Sequence, residues 1–173
     1  MKDHSSVRLG TSAFTAAGWP GSFYPEGLAP AEYLSHYAQH FDTVEVDSTF
    51  YRIPSTAMVK NWYARTPKGF LFAARAPQTI THEHVLLDTE EEVERFLTAM
   101  EPLKEKLGPI LFQFPYFNRK AFPAVEGFLE RLGPFLARLP RGPAVCRGDS
   151  QQELAGAKTH GAAAETQGRA GAD

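Results

Sequence analysis

Between Val7 and Leu139 the chain switches repeatedly between short apolar runs and segments whose apolar residues recur every three or four positions. The short runs predict buried parallel strands, and the recurring pattern predicts amphipathic helices. Val7 to Ala13 predicts a first strand that ends in small residues, with Gly10 allowing close backbone approach. Tyr33, Leu34, Tyr37, Ala38 and Phe41 predict a helix over Pro30–His40, with proline in its first turn. Thr43, Val44 and Val46 predict a second strand. Ser55 then caps a helix through Met58, Val59 and Trp62, stopped at Thr66-Pro67. Gly69 to Ala76 predicts a third strand, followed by a loop from Pro77 to His84. Asp88 opens a third helix with acids where the helix dipole favours them, and Val93, Phe96, Leu97, Met100 and Leu103 form its stripe. Lys104, Lys106 and Gly108 close it. Pro109 to Pro115 predicts a fourth strand, and Phe122 to Leu139 a fourth helix broken or kinked at Gly133-Pro134.

Four strand-then-helix units in series require crossovers, so the class is α/β with parallel strands. A full (β/α)₈ barrel takes roughly 250 residues. The expectation is therefore the first half of a TIM-like barrel over 7–140, in a chain of 173 residues. Beyond Arg141 the aliphatic and aromatic residues thin to Val145 and Leu154. Such a segment buries too little surface to offset its ordering entropy, and disorder is expected over 141–173. The change is abrupt, and the genetic code offers a cause. Reading the codons of Cys146 to Gly156 one base later permits Ala-Val-Glu-Ile-Arg-Asn-Lys-Asn-Trp-Leu-Gly, the pattern of a fifth strand and the start of its helix. The tail is expected to be out of frame.

Net charge is −2, which gives no argument for nucleic acid, and no basic run marks a membrane surface. One cysteine, Cys146, excludes an internal disulfide framework and fits a reducing, cytoplasmic setting. No apolar run approaches the ~20 residues of a membrane span, and the first residues have no signal-peptide pattern.

Barrels of this class present their chemistry at the C-terminal ends of the strands. Glu45 lies inside the second strand and Asp47 at its end; Arg75 lies near the end of the third, and Gln113 ends the fourth. A carboxylate inside a strand is costly unless paired, so Glu45 and Arg75, on consecutive units, are expected to approach each other. In an enzyme-like site Glu45 would be general base or ligand anchor, Arg75 would hold an anionic group, and His82 would shuttle protons. Thr11, Ser12, Trp19, Asp47, Tyr51 and Gln113 would contact substrate. Each has a plainer role as well. Glu45 pairs with a neighbouring arginine, Thr11 and Ser12 cap a loop, Trp19 seals the barrel end, and His82 makes a structural hydrogen bond. The competing function is a binding module in which the same pocket, with Trp19, Tyr24, Phe50 and Tyr51 as stacking surfaces, holds a small polar molecule or a peptide without chemistry. The third reading is that this chain is inactive for want of half a barrel. Exposed sheet edges would then invite self-association. There is no Gly-rich phosphate loop, no Gly-x-Ser-x-Gly elbow and no metal motif, since His82 and His84 alone do not make one. No motif specifies a cofactor.

Residues 8–140 resemble the DUF72 (YecE-like) family. The matching stretches are Leu9–Ser12, Trp19 with Phe23–Pro25, Tyr37-Ala38 leading to Phe41, Val44-Glu45 with Ser48–Pro54, and Trp62 with Thr66-Pro67. Phe70–Phe72 through Ala76-Pro77, Thr81-His82 and Leu107–Pro115 complete the series. The resemblance implies a TIM-barrel-like fold and assigns no reaction. Asp47 stands where the family usually carries Asn, and Arg75 where it often carries Lys. The family continues with a Val-Glu-Ile-Arg strand and a tryptophan soon after, which this chain has only in the shifted frame.

Overall fold

The structure, a computed structural model, describes residues 7–117, 122 and 124–140. The segment expected to be disordered and out of frame, 141–173, lies outside the described residues. Three parallel strands form one sheet in the order β1 (Thr43–Val46), β2 (Leu71–Arg75), β3 (Leu107–Leu111). β1 and β2 run in unbroken register, Thr43 opposite Leu71 through Val46 opposite Ala74, whereas the β2–β3 register shifts between Phe72 and Ala74. Alternation along the strands sorts their side chains by face. Val44, Val46, Phe72 and Ala74 are buried, while Thr43, Glu45, Leu71, Ala73 and Arg75 are half-buried on the other side.

The buried face carries the helices. α1 (Tyr33–Tyr37), α3 (Thr56–Ala64) and α4 (Glu90–Met100) bring Leu34, Tyr37, Val59, Trp62, Phe96 and Met100 onto Val44, Val46, Phe72 and Ala74 in one core. The Ser55 hydroxyl accepts the Met58 N–H at 3.3 Å, so the expected cap of α3 is present. A second, smaller core joins Ile80 and Leu86 to Phe135 and Leu139 of α5 (Val125–Arg138).

Several expectations change, among them the helix expected over Pro30–His40, which is a 3₁₀ turn (Pro30–Glu32) followed by α1. Val7–Ala13 runs beside β1 without forming a strand. Its ladder contact is the Glu45 N–H donating to the Thr11 carbonyl at 2.9 Å, and the Thr11 N–H turns instead to the Tyr37 hydroxyl at 2.8 Å. Gly10 is required there, because a Cβ would lie 2.2 Å from the Thr43 carbonyl oxygen. β3 begins two residues earlier than expected and ends before Phe112. α4 stops at Met100, and a 3₁₀ segment (Glu101–Lys106) follows it. Lys106 therefore does not close its own helix. Its Nζ is buried and donates to the Tyr63 and Thr66 carbonyls at 2.7 and 2.6 Å, capping the C-terminal end of α3, and burial pulls its pKa down. α5 is unbroken across Pro134. The proline leaves the Glu130 carbonyl without its helical donor, but both residues are exposed and water can take that bond.

Candidate functional site

At the C-terminal ends of β1 and β2 the chain turns at once into helix, and this places the polar residues. Ser48-Thr-Phe-Tyr forms one helical turn, α2 (Ser48–Tyr51), directly after Asp47. The Thr49 hydroxyl, fully buried, sits 2.7 Å from the carbonyls of both Val46 and Arg75, so it ties the two strand ends together where the ladder stops. The turn also lays the Phe50 ring under β2. The Arg75 guanidinium carbon lies 4.1 Å above that ring, and Arg75 Nη1 donates to Asp47 Oδ1. Arg75 is thus held by two partners, the Asp47 carboxylate and the Phe50 ring face. Its Nε is buried and has no partner among the described residues.

After β2 the chain makes a π-helical turn, Thr79–Glu83, a geometry common at functional sites. It sets His82 edge-on to the same Phe50 ring, 4.9 Å away at 79°. Thr81, fully buried, shares a 2.9 Å hydrogen bond with His82 Nδ1. Arg75 and His82 are therefore organised by one phenylalanine.

Glu45 shares the half-buried face with Arg75, as expected of two residues that approach, but the two do not form an ion pair. Register explains this. Glu45 lies opposite Ala73, while Asp47 follows the Val46–Ala74 pair and so falls level with Arg75. Asp47 takes the guanidinium, and Glu45 makes no ion pair among the described residues. The remaining candidates scatter. Tyr51 is exposed and touches Phe50 edge-on at 5.1 Å. Ser12 is exposed, one residue beyond the contact between Thr11 and β1. Thr11 has its hydroxyl 2.9 Å from the Tyr37 hydroxyl, an arrangement that fixes the segment to α1. Trp19 stacks on Tyr37 at 10° and packs against Phe23 and Tyr24 on the helix side of the sheet. Gln113 is exposed, past the end of β3.

Sequence reasoning gave no role to Thr49 and treated Phe50 only as aromatic surface. A threonine and a phenylalanine immediately after a strand that ends in Asp were the available signal. A cleft of about 340 Å³ between α4 and α5 is lined by Val93, Leu97, Phe135 and Leu139 and includes none of the strand-end polar residues. No group of three or more metal-ligating side chains occurs among the described residues. No helix among them is long and apolar enough to cross a membrane.

A family model described as "Protein of unknown function DUF72" matches residues 8–148. The UPF0759 protein YecE of Escherichia coli K12 is 36% identical over 100 residues, covering 57% of this chain and 37% of that protein. The UPF0759 protein YunF of Bacillus subtilis 168 is 35% identical over 106 residues, with 57% and 38% covered. The chain thus spans less than half the length of the curated relatives it matches. Among solved structures, a DUF72 family protein from Thermotoga maritima superposes with a TM-score of 0.58 at 36% identity, over 74% of this chain and 51% of that one. A DUF72 family protein from Enterococcus faecalis superposes with a TM-score of 0.51 at 26% identity, over 77% and 49%.

Proposed function

This chain belongs to the DUF72 family, and from that premise we propose that the C-terminal ends of β1 and β2 form part of a small-molecule-processing site. Arg75 anchors an anionic group of the ligand. Glu45, on the same face, is the second polar pole, as anchor or proton acceptor, and His82 is the group that exchanges protons with solvent. The observation that carries this reading is the state of Arg75: fixed by Asp47 and Phe50, with a buried Nε that no described residue accepts from. A purely structural arginine would have its donors satisfied, since a buried donor left unpaired costs about 1–3 kcal/mol or more when charged. Turnover is proposed for the longer relatives, whose further strands would complete the C-terminal face, and not for this chain alone. Asp47 and Tyr51 border the proposed site; Thr11, Ser12, Trp19 and Gln113 are left outside it.

The reading extends to setting and association. A single cysteine fits a cytoplasmic location. Among the described residues β3 pairs on one side only, with β2, and an open edge of that kind favours self-association. Light scattering is expected to show dimers or larger species, and a clean monomer would remove that part.

Ligand-dependent stabilisation tests the site. Melting temperature is measured against panels of neutral sugars, carboxylates and phosphate esters, because a ligand that binds only the folded state raises it. Some anionic compounds should stabilise the chain, and Arg75→Met should abolish the effect. Stabilisation by neutral compounds alone, or equally in Arg75→Met, would overturn the reading.

A further inference from the structure

We propose that the ligand of this site carries both a carboxylate and an ammonium group, as an amino acid does, with the carboxylate on Arg75 and the ammonium facing Glu45. The proposal rests on the reading of the strand ends as a small-molecule site and names the class of molecule it takes.

One edge of the Arg75 guanidinium is left over. Nη1 is committed to Asp47 and one face to the Phe50 ring. Nε and Nη2 lie together on the remaining edge, and neither has a partner among the described residues; Nε is buried as well. Two parallel N–H groups match the two oxygens of a carboxylate, which binds such a fork side-on. Asp47 and Phe50 hold the guanidinium in place beforehand, so little side-chain freedom is lost when the carboxylate arrives.

Charge favours the same class of ligand. By formal charge Glu45, Asp47 and Arg75 sum to −1. Arg75 is already shared with Asp47, and Glu45 has no cationic partner among the described residues. A simple carboxylate would add a second unit of negative charge to this half-buried face, and a phosphate dianion a third. A zwitterion adds none, and its ammonium gives Glu45 the counter-charge that register withholds from it. Reach agrees with this. Arg75 stands one strand over and two residues nearer the strand end than Glu45, a Cα separation of about 8 Å from strand spacing and rise. That separation limits a ligand bridging the two to a short molecule.

The test uses the full 173-residue chain with acetate, methylammonium, glycine, β-alanine, γ-aminobutyrate and inorganic phosphate as probes. Calorimetry gives affinities, and the ¹⁵N–¹H signal of the arginine Nε groups reports on the fork. At least one amino acid should bind about tenfold or more tightly than acetate, the worth of one charge-assisted hydrogen bond, and should move the Arg75 Nε–H signal. Glu45→Gln should remove the preference for amino acid over acetate while acetate binding persists. Arg75→Lys, which keeps the charge but not the fork, should weaken both. Cooperative unfolding of both variants above the assay temperature establishes that each still folds. Acetate bound through Arg75 as tightly as any amino acid, or phosphate bound best, overturns the zwitterion and leaves the anion site standing. No Arg75-dependent binding of any probe overturns both.

Discussion

The two faces of the sheet are covered to different extents. Toward the helices, Val44, Phe72 and Ala74 are wholly buried and Val46 is 3% exposed. Toward the other side, Glu45, Leu71, Ala73 and Arg75 are half-buried, and Pro109 and Leu111 of β3 are exposed. Strand alternation makes both faces from the same fourteen residues of backbone, and only what covers them differs. The helix layer is completed by local sequence, because each crossover returns its own apolar stripe to the strand it follows. The inner face of a barrel has no such local partner. It is filled by side chains from strands across the barrel, so its burial depends on chain far away in sequence. Apolar packing therefore holds the first face, and directed polar contacts (Asp47 to Arg75, Thr49 to the two strand carbonyls) organise the end of the second.

The largest expected effect lies on the helix face. Phe72→Ala should cost about 3–5 kcal/mol of unfolding free energy, since the ring is fully enclosed and leaves a cavity. Leu71→Ala, one residue away on the other face, should cost only about 1 kcal/mol. Urea unfolding of both variants reads the contrast directly, and equal losses would break it.

A smaller difference separates two ion pairs. The Arg75–Asp47 pair has side chains 14% and 34% exposed, against 63% and 55% for Arg138–Glu90 on the helix surface. Arg75→Met should cost about 1.5–3 kcal/mol, in the range of hydrogen bonds to charged groups. Arg138→Met should cost no more than about 0.5 kcal/mol, as exposed pairs do. The comparison sharpens with salt: 0.5 M sodium chloride should erase the Arg138 effect and leave most of the Arg75 effect.

The least of the three contrasts, about 1 kcal/mol near neutral pH, is the loss expected for Tyr24→Phe. The Tyr24 hydroxyl donates to the Phe14 carbonyl inside the aromatic cluster with Trp19 and Phe23. Burial, with the neighbouring Tyr37 and Tyr33, pushes its pKa up from 10.0 to about 12. Because the folded value is the higher one, the unfolded chain loses this proton first as pH rises. The contribution is full below pH 10 and is lost between 10 and about 12. Wild-type stability should fall across that window more steeply than that of Tyr24→Phe. Parallel slopes would mean that the hydroxyl is not the group responsible.

Much of this was legible in the chain itself. The 3.6-residue stripe of α3 and its Ser55 cap, the Val-x-Val pattern of β1 and the acid-led start of α4 are local signals. They fix local elements because apolar spacing and end-capping act within a few residues. Local signals also singled out Arg75, Asp47 and Glu45 as candidates, since a charge in or at the end of a buried strand is costly unless paired. Which of them meet was decided by tertiary structure. Register between β1 and β2, set by packing of Val44, Val46, Phe72 and Ala74 on the helices, put Asp47 rather than Glu45 level with Arg75. In the same way, only the fold could turn Lys106 from the end of its own helix to the end of α3, or draw the Thr11 N–H away from a strand ladder to the Tyr37 hydroxyl. Sequence spacing determines which side of an element a residue occupies. The partner it finds there depends on contacts between segments 26 to 43 residues apart, which no local pattern encodes.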